Sequence, residues 1–509
     1  MSEGKDIIII GGGLGGLTTG ALLAKEGCRV TVLEKNPVIG GGLQCFRRRG
    51  VLFETGMHIL GGFGPGHNLN RICTYLGILD KLDIRPTDPD CMDAVTFGTE
   101  TYRLPGGKEA FTDYLAGLFP DQADGLRRYM DDLWALSEEV DLFYLRPDGG
   151  SMLRPHSDDF LLPADEFIAK YVTDTRLAEL LAYMNPMYGG VAGHTPAFVH
   201  ALINVLYING SAMFVDGSQQ MADALADVIR AAGGSIRAGD PVTGIDVEDR
   251  LVRRVITRGG QAYTGDWYIS DLHPCTLLDL LPEKAFLKSY RDRLREIPNS
   301  YSAFSVYIKF KDGAQRPFVN HPCYWQEEHG HVWRLCDPDE ASFPRGFMYL
   351  TPPTRGQGPW ADRMTVNCPM PFSAVSRWAD SVTGHRPPEY RAWKERVLQQ
   401  VLDKLERACP GIRVDIDFCF ASTPLTIRDY YGTKEGALYG YNRDCKNMAL
   451  SQLPVATKVR NLLLTGQNIN LHGICGVPLT AIETAEALAG RGVIVRKINE
   501  AYNGRNQGL

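Results

Sequence analysis

The stretch Ile7-Ile8-Ile9-Ile10-Gly11-Gly12-Gly13-Leu14-Gly15-Gly16 decides the fold. Its β-branched run predicts a buried parallel strand, and the glycines that follow fit the spacing G-x-G-x-x-G. A helical pattern then reaches Ala24, and Arg29–Leu33 predicts a second strand that ends at Glu34. Strand, turn, helix, strand and acid in this order predict one βαβ unit of a dinucleotide-binding fold.

Each fixed glycine has its own role in such a unit. Gly11 makes the tight turn, Gly13 lets the backbone approach a pyrophosphate, and Gly16 lets the helix pack on the strand. The helix N-terminus offers unpaired N–H groups to a phosphate. Glu34 is placed to accept hydrogen bonds from ribose hydroxyls, which favours NAD or FAD over NADP.

Two further segments favour FAD over NAD. Gly40-Gly41-Gly42 forms a second glycine cluster soon after the first unit, as a long, two-ended cofactor requires. At the far end, Leu462–Gln467 predicts another buried strand ending in glycine, followed by a helix over residues 479–488. Pro478 is expected in the first turn of that helix, where its missing N–H costs nothing.

Composition excludes several classes of protein. The 509 residues carry 54 Lys and Arg against 60 Asp and Glu, a net charge of −6, with 44% apolar residues. This balance is that of a globular chain and gives no support to nucleic-acid binding. Twelve cysteines without a C-x-x-C pair and eleven scattered histidines predict neither a metal site nor a redox dithiol. With no signal-peptide pattern at the N-terminus, we expect a cytoplasmic protein.

The middle of the chain supplies a third part of the same fold. Asp216-Gly217 precedes a predicted helix over residues 221–232, and strand patterns follow as far as Asp271. We therefore expect an FAD-binding domain built from residues 1–90, 213–285 and 431–509. A substrate-binding domain would comprise residues 91–212 and 286–430.

Taken together, these motifs resemble the FAD-dependent carotenoid desaturase and retinol saturase family of amine-oxidase-like flavoproteins, over essentially the whole chain. The motifs that carry the resemblance are Gly11–Glu34, Gly40-Gly41, Phe53-Glu54-Thr55-Gly56, Asp216-Gly217, Ile269-Ser270-Asp271 and Thr465–Thr480. Residues 40–46, 55–58 and 430–440 are more similar to the retinol saturase branch. Desaturase-type members carry Arg where Gly42 stands, so we assign no role to residue 42.

The resemblance implies an α/β fold: a Rossmann-like FAD-binding domain with a doubly wound parallel sheet, and an interleaved α+β substrate domain. The cofactor-binding residues it implies are Gly11, Gly13, Gly16, Glu34, Lys35, Gly41, Gly56, Val242, Gly466 and Val477. Val242 would contact the adenine, and Gly56 would lie near the flavin ring with His58. Candidate proton donors are His58, Tyr188, Tyr439 and His472.

The activity expected from this family is hydride transfer between FAD and a carbon–carbon bond of an apolar polyene lipid, carotenoid- or retinoid-like, by saturation or desaturation. NADPH or NADH is a candidate transient electron donor. A flavin amine oxidase and a porphyrinogen-type oxidase share the cofactor domain and stay open as alternatives. A prenyl-protein escort of the GDP-dissociation-inhibitor type is a non-enzymatic alternative, against which the segment 466–479 argues. The reaction direction, the electron donor and the oligomeric state stay open.

An aromatic and apolar stretch occupies residues 183–207. Such a run is typical of a helical core, and in this family it also fits the wall of an apolar tunnel. Residues 197–208 are too few to span a membrane but could lie on one, so peripheral membrane contact is a further expectation.

Overall fold

A five-stranded parallel sheet carries the N-terminal unit in the computed structural model, which describes residues 4–56, 59–147, 155–337 and 339–507. The predicted strand, helix and strand are confirmed as Asp6–Ile10, Leu14–Lys25 and Arg29–Glu34. The order across the sheet is Ser235–Ala238, Arg29–Glu34, Asp6–Ile10, Trp267–Ser270 and Leu462–Leu464. Each strand pairs in parallel with its neighbour, as in an α/β dinucleotide-binding fold.

Helix Leu14–Lys25 packs directly on this sheet because its glycines leave no side chain in the way. A Cβ on Gly20 would lie 2.9 Å from Cδ1 of Ile229 and 3.2 Å from Cδ1 of Ile9. The Thr19 hydroxyl also hydrogen-bonds the Thr465 hydroxyl at 2.9 Å, which ties the first helix to the end of the last strand.

The second large sheet of the protein has seven strands. Its order is Ile416–Ser422, Ser302–Phe310, Arg363–Met370, Gly346–Leu350, Cys323–Gln326, Asp93–Phe97 and Glu100–Leu104. Neighbours are antiparallel except for the fifth and sixth strands, which are parallel. The strands of the two sheets alternate along the chain, and the domain bounds given above stay a prediction.

Smaller sheets and the helices complete the described fold. The small sheets contain Val242–Glu248, Leu251–Thr257 and Ala262–Tyr263; Ile59–Gly61, Ser211–Phe214 and Ile84–Pro86; and Cys45–Arg48 with Val51–Glu54. The remaining α-helices are Asn68–Leu76, Lys108–Leu118, Ala123–Glu138, Ala164–Ala169, Thr175–Ala182, Ala197–Ile208, Gln219–Ala231, Pro274–Leu280, Lys288–Glu296, Pro388–Ala408, Ile412–Asp415, Pro424–Tyr431, Met448–Ser451, Gly473–Ala489 and Val493–Gln507.

The helix that contains Pro478 begins earlier than the sequence predicts. It spans Gly473–Ala489, so Pro478 lies inside the helix, and its predicted place in the first turn was wrong. The glycines at its start hid the helical pattern, because glycine is a weak helix former. The Thr480 hydroxyl bonds the carbonyl of Gly476 at 3.3 Å and the carbonyl of Leu471 at 3.2 Å near the turn that Pro478 interrupts.

The apolar helix Ala197–Ile208 is buried, with only Ile203 partly exposed. It therefore does not supply a surface that lies on a membrane, and the expectation made for residues 197–208 was wrong. The apolar and aromatic side chains of this helix pack in the hydrophobic core instead. No helix in the part of the chain that the structure describes has the length and apolar character needed to cross a membrane.

Candidate active site

A cleft of about 260 Å³ opens at the carboxyl ends of the parallel strands. Ligands of open α/β sheets bind at this edge, where the loops leave the strands. The cleft is lined by Gly13, Leu14, Gly15, Gly41, Gly42, Leu43, Gly56, Ile59, Met187, Tyr207, Asp271, His273, Asn367, Tyr431, Thr433, Leu438, Tyr439, Gln467, Asn468, Gly473, Ile474 and Val477. It thus joins the glycine-rich loop to tyrosines that lie far from it in sequence.

The glycine-rich loop has no room for side chains. A Cβ on Gly16 would lie 2.1 Å from the carbonyl oxygen of Gly11, and one on Gly15 would lie 2.8 Å from Cα of Gly466. Gly11 itself has φ of +108°, in the region that favours glycine. Gly13 precedes the helix in an extended conformation and adds no side-chain cap to its first turn.

The carboxylate of Glu34 organises the loop from the end of the second strand. It is buried, and its two oxygens accept hydrogen bonds from the backbone N–H groups of Gly12 and Asn36, at 2.8 and 2.7 Å. Each carboxylate oxygen can accept a second bond, so the group keeps acceptor capacity for a ribose hydroxyl.

A second carboxylate, that of Asp271, follows the strand Trp267–Ser270 and lies against the glycine-rich loop. Cβ atoms built on Gly13, Gly15 and Gly466 would each lie within 2.8 Å of its oxygens. Burial raises its pKa to about 7, with the charge of Glu34 adding to the rise and the backbone N–H groups of Gly16 and Gly13 opposing it. Asp271 therefore titrates in the physiological range, directly at the loop.

The second glycine cluster folds against the first. The N–H of Gly40 donates to the carbonyl of Gly12 at 2.7 Å, and a Cβ on Gly41 would lie 3.1 Å from Cα of Gly13. Across the cleft, Gly473 and Val477 belong to the first turns of helix Gly473–Ala489. The cleft is therefore bounded by two helix N-termini, and each favours negative charge.

These features fit a dinucleotide such as FAD. The closed glycine turn, the helix N-terminus behind it and the buried acid of Glu34 match the pyrophosphate and ribose of such a cofactor. Of the other implied contacts, Gly56 lines the cleft, whereas Lys35 and Val242 are not among its lining residues. The amine of Lys35 donates to the carbonyl of Asp429 at 2.7 Å, and its pKa is lowered by burial.

An apolar cavity of about 50 Å³ adjoins the cleft, and Met187, Tyr207, Gly473 and Ile474 line both. The cavity is lined by Phe143, Met187, Phe198, Val199, Leu202, Ile203, Leu206, Tyr207, Arg443, Asn470, Leu471, His472, Gly473, Ile474, Cys475 and Gly476. An outer cavity of about 390 Å³ follows, and Arg443 lines both. The stretch of residues 183–207 is thus both core and cavity wall.

The structure separates the candidate proton donors. Tyr439 lines the cleft, with its hydroxyl donating to the carbonyl of Pro186 at 2.8 Å, and burial raises its pKa. His472 lines the apolar cavity, with its ring centroid 5.1 Å from that of Tyr439. Tyr188 lies outside both, in a buried network with His200 Nδ1 at 3.0 Å. His58 falls outside the described residues.

Three residues that the structure places at the site were not singled out as site residues from the sequence. Asp271 and Tyr431 line the cleft, and Arg443 lines both of the other cavities. Asp271 directly follows a predicted strand, so its place at the sheet edge was available as a signal. Arg443 stands in an irregular segment between Gly440 and the short helix Met448–Ser451, where no local pattern marks it.

Comparison with known proteins places the chain in a family. A model of the flavin containing amine oxidoreductases matches residues 14–489. The rat all-trans-retinol 13,14-reductase is 26% identical over 96% of this chain and 86% of its own length. The 4,4'-diapolycopene oxygenase of Methylomonas sp is 24% identical over 94% of this chain and 97% of its own length.

Solved structures share the fold. An oxidoreductase from Methanosarcina mazei superimposes with a TM-score of 0.63 at 17% identity, over 94% of this chain and 100% of its own. The sequence motifs and these matches agree, and the resemblance to carotenoid- and retinol-modifying flavoproteins is confirmed. The chain belongs to the family of flavin containing amine oxidoreductases.

Proposed function

We propose that this protein is an FAD-dependent oxidoreductase that acts on a carbon–carbon bond of an apolar polyene lipid, carotenoid- or retinoid-like. The observation that carries the proposal is the apolar cavity that adjoins the glycine-rich cleft, with Met187 and Tyr207 lining both. The names of the rat and Methylomonas relatives, a retinol reductase and a diapolycopene oxygenase, support the same substrate class.

The cofactor residues in this proposal are those of the cleft and its loop. Gly13, Gly15 and Gly41 would hold the pyrophosphate, and Glu34 the ribose, while Gly56 and Val477 would border the flavin end. Bound FAD supplies the two-electron redox step, with a hydride as the group transferred. NADPH or NADH is proposed as the donor that reloads it.

The chain's own residues would exclude water and orient the lipid. Phe198, Leu202 and Leu206 are buried side chains that give the polyene an apolar wall. Tyr439 is proposed as the proton donor of the cleft, because it is the candidate hydroxyl that lines it.

The cavity disfavours an amine substrate. No acidic side chain is among the described residues that line the apolar cavity, and Arg443 places a cation there. Inside this cavity an ammonium group would be repelled by Arg443 and would find no carboxylate to pair with. This argues for the polyene over the amine oxidase alternative.

The lipid would enter through the outer cavity. Val191 and Leu450 line it and are 37% and 43% exposed, so they are large apolar side chains at the surface. We include contact of this mouth with a membrane surface in the proposal, because the substrate would be drawn from a bilayer.

The function is tested by anaerobic spectroscopy of the FAD-loaded protein with all-trans-retinol in phospholipid vesicles. After reduction by NADPH, or by light with a sacrificial electron donor, we expect the polyene to restore the oxidised flavin spectrum while its own absorption band moves to shorter wavelength. Bleaching of oxidised flavin by the polyene would indicate the reverse direction. Bleaching by a monoamine, with no response to retinol or a carotenoid, would contradict the proposal.

We also expect the affinity for FAD to depend on pH through Asp271. Its raised pKa of about 7 means that the group is protonated below pH 7 and charged above it. A charged carboxylate beside a pyrophosphate is repulsive, so affinity should be full below pH 7 and fall by about tenfold as the pH rises to about 8.5. The dissociation constant is measured by quenching of flavin fluorescence.

The variant Asp271→Asn removes this titration and should give a nearly flat pH profile. Asp312→Asn is the matched control, because the Asp312 side chain is fully exposed and lies far along the chain, in a turn of the second sheet. Equal pH slopes in the wild type and in Asp271→Asn would contradict the role of this carboxylate.

A further inference from the structure

Arg443 is a buried cation without an acidic partner. Its exposure is 8%, and it forms no ion pair within the part of the chain that the structure describes. Its guanidinium instead donates to three carbonyl oxygens, those of Ser451, Gln467 and Asn470. Burial lowers its pKa to about 10. Neutral acceptors satisfy hydrogen bonds but leave the buried positive charge uncompensated.

The guanidinium also keeps donors free. One Nη1 bond and two Nη2 bonds account for its hydrogen bonds to described residues. A guanidinium has five N–H donors, so the Nε hydrogen and one Nη1 hydrogen are left. Arg443 lines both the apolar and the outer cavity, so a ligand in either cavity lies next to this side chain.

His472 provides a second, independent unpaired group on the same cavity. It is 9% exposed, and its Nδ1 is buried with no hydrogen-bond partner among the described residues. Burial first, and the charge of Arg443 second, lower its pKa to about 3, so the ring is neutral at physiological pH. A buried polar atom without a partner is costly and indicates a missing ligand atom or water.

The other described residues that line the apolar cavity provide no negative charge to balance that of Arg443. Phe143, Phe198, Leu202 and Leu206 form its wall, and none of its described lining residues is acidic. A hydroxyl would take one donor and leave the charge of Arg443 uncompensated. A carboxylate accepts a charge-assisted N–H bond from the guanidinium and compensates its charge.

We propose that the apolar cavity binds the acid end of an unsaturated lipid, with the carboxylate on Arg443 and beside His472 and the rest of the chain in the adjoining cleft. This inference rests on the proposed function, because it narrows the polyene class to acids. It also gives the lipid one orientation: the acid end at Arg443, and the chain running past Met187 and Tyr207 towards the cleft.

The first test needs no variant. The FAD-loaded protein is titrated with all-trans-retinoic acid and with its methyl ester at about pH 8, and binding is followed by quenching of tryptophan fluorescence. We expect the acid to bind at least tenfold more tightly than the ester. Equal affinities, or a tighter ester, would overturn the inference.

The second test assigns the preference to its residues. Arg443→Met keeps an unbranched apolar stem but has no charge and no N–H donor, and should reduce the preference for the acid to less than twofold. Arg230→Met, at an exposed position of helix Gln219–Ala231, is the matched control and should keep it. A folded Arg443→Met protein that retains a tenfold preference would contradict the proposal.

Since Arg443 also holds three backbone carbonyls, its loss could prevent folding, and His472→Phe then takes its place. Phenylalanine preserves the ring and removes the unpaired nitrogen, so acid affinity should fall about threefold or more while ester affinity stays within twofold. Equal losses for acid and ester would oppose a role for His472 in binding the carboxylate.

Oleic acid and methyl oleate separate this inference from the proposed function. Preference for oleic acid over its ester, with neither retinoid bound, would support the carboxylate site while the polyene proposal fails. Turnover of retinol, with equal affinity for every acid and ester, would overturn the carboxylate site and leave the proposed function intact.

Discussion

Gly16→Ala is expected to yield a chain that no longer retains FAD during purification. The added methyl group would stand 2.1 Å from the carbonyl oxygen of Gly11 and 3.2 Å from Cγ2 of Ile9. Both atoms belong to the first strand or the turn directly after it, so the helix must move away from the sheet. The N–H groups at its start then leave the positions in which they face the cleft.

We expect the affinity for FAD to fall at least about 100-fold, which corresponds to about 3 kcal/mol. Overpacking of this kind also costs about 1–3 kcal/mol of folding free energy. Flavin absorbance per chain reports the first effect and urea unfolding of the FAD-free protein reports the second, so that loss of cofactor is distinguished from loss of fold.

Gly117→Ala is the matched control. Gly117 also lies inside a helix, Lys108–Leu118, and a Cβ there would meet nothing within 4 Å. The change should leave flavin content unaltered and raise the free energy of unfolding by about 0.5–1 kcal/mol, since alanine is the better helix former. Full flavin content in Gly16→Ala would show that the close approach of helix and strand is dispensable.

Glu34→Gln should have the second largest effect. Both carboxylate oxygens accept a backbone N–H, from Gly12 and from Asn36. An amide has one oxygen and one NH₂ group, so one of the two N–H donors would face another donor. Leaving a buried donor unpaired costs about 1–3 kcal/mol. Because Gly12 is part of the cofactor turn, we expect about 10- to 100-fold weaker FAD binding.

The measurement is again the dissociation constant for FAD, from flavin fluorescence. Glu248→Gln serves as the control, since the Glu248 side chain is 73% exposed. Its ion pair with Arg253 is long, with 3.7 Å between Oε2 of Glu248 and Nε of Arg253. That variant should bind FAD as the wild type does. A Glu34→Gln protein with wild-type affinity would mean that a neutral acceptor suffices at the end of the second strand.

Local patterns predicted the parts of the fold in which neighbouring residues determine the conformation. The run Ile7–Ile10 and the glycines after it predicted the first strand, turn and helix, because hydrophobic period and glycine spacing act over short distances. The start of helix Gly473–Ala489 was misplaced for two reasons. The glycines near its beginning carry no helical signal, and Pro478 is a residue type common in the first turn of a helix.

Residues that meet across the sheet could not be predicted in the same way. Asp271 reaches the loop of Gly13 and Gly15 only because strand Trp267–Ser270 pairs in parallel with Asp6–Ile10. Arg443 reaches the apolar cavity through a segment with no period at all. Their roles depend on long-range pairing and on burial, which a single sequence does not display.

The parallel sheet has a consequence for the synthesis of the protein. Its strands are synthesised in three groups, and Leu462–Leu464 can pair with Tyr268 and its neighbours only after the whole second sheet has been synthesised. On the ribosome, the nascent chain therefore exposes the edge of Trp267–Ser270 while nearly two hundred further residues are added. The wall of the cleft that contains Gly473 and Val477 is therefore the last to be added.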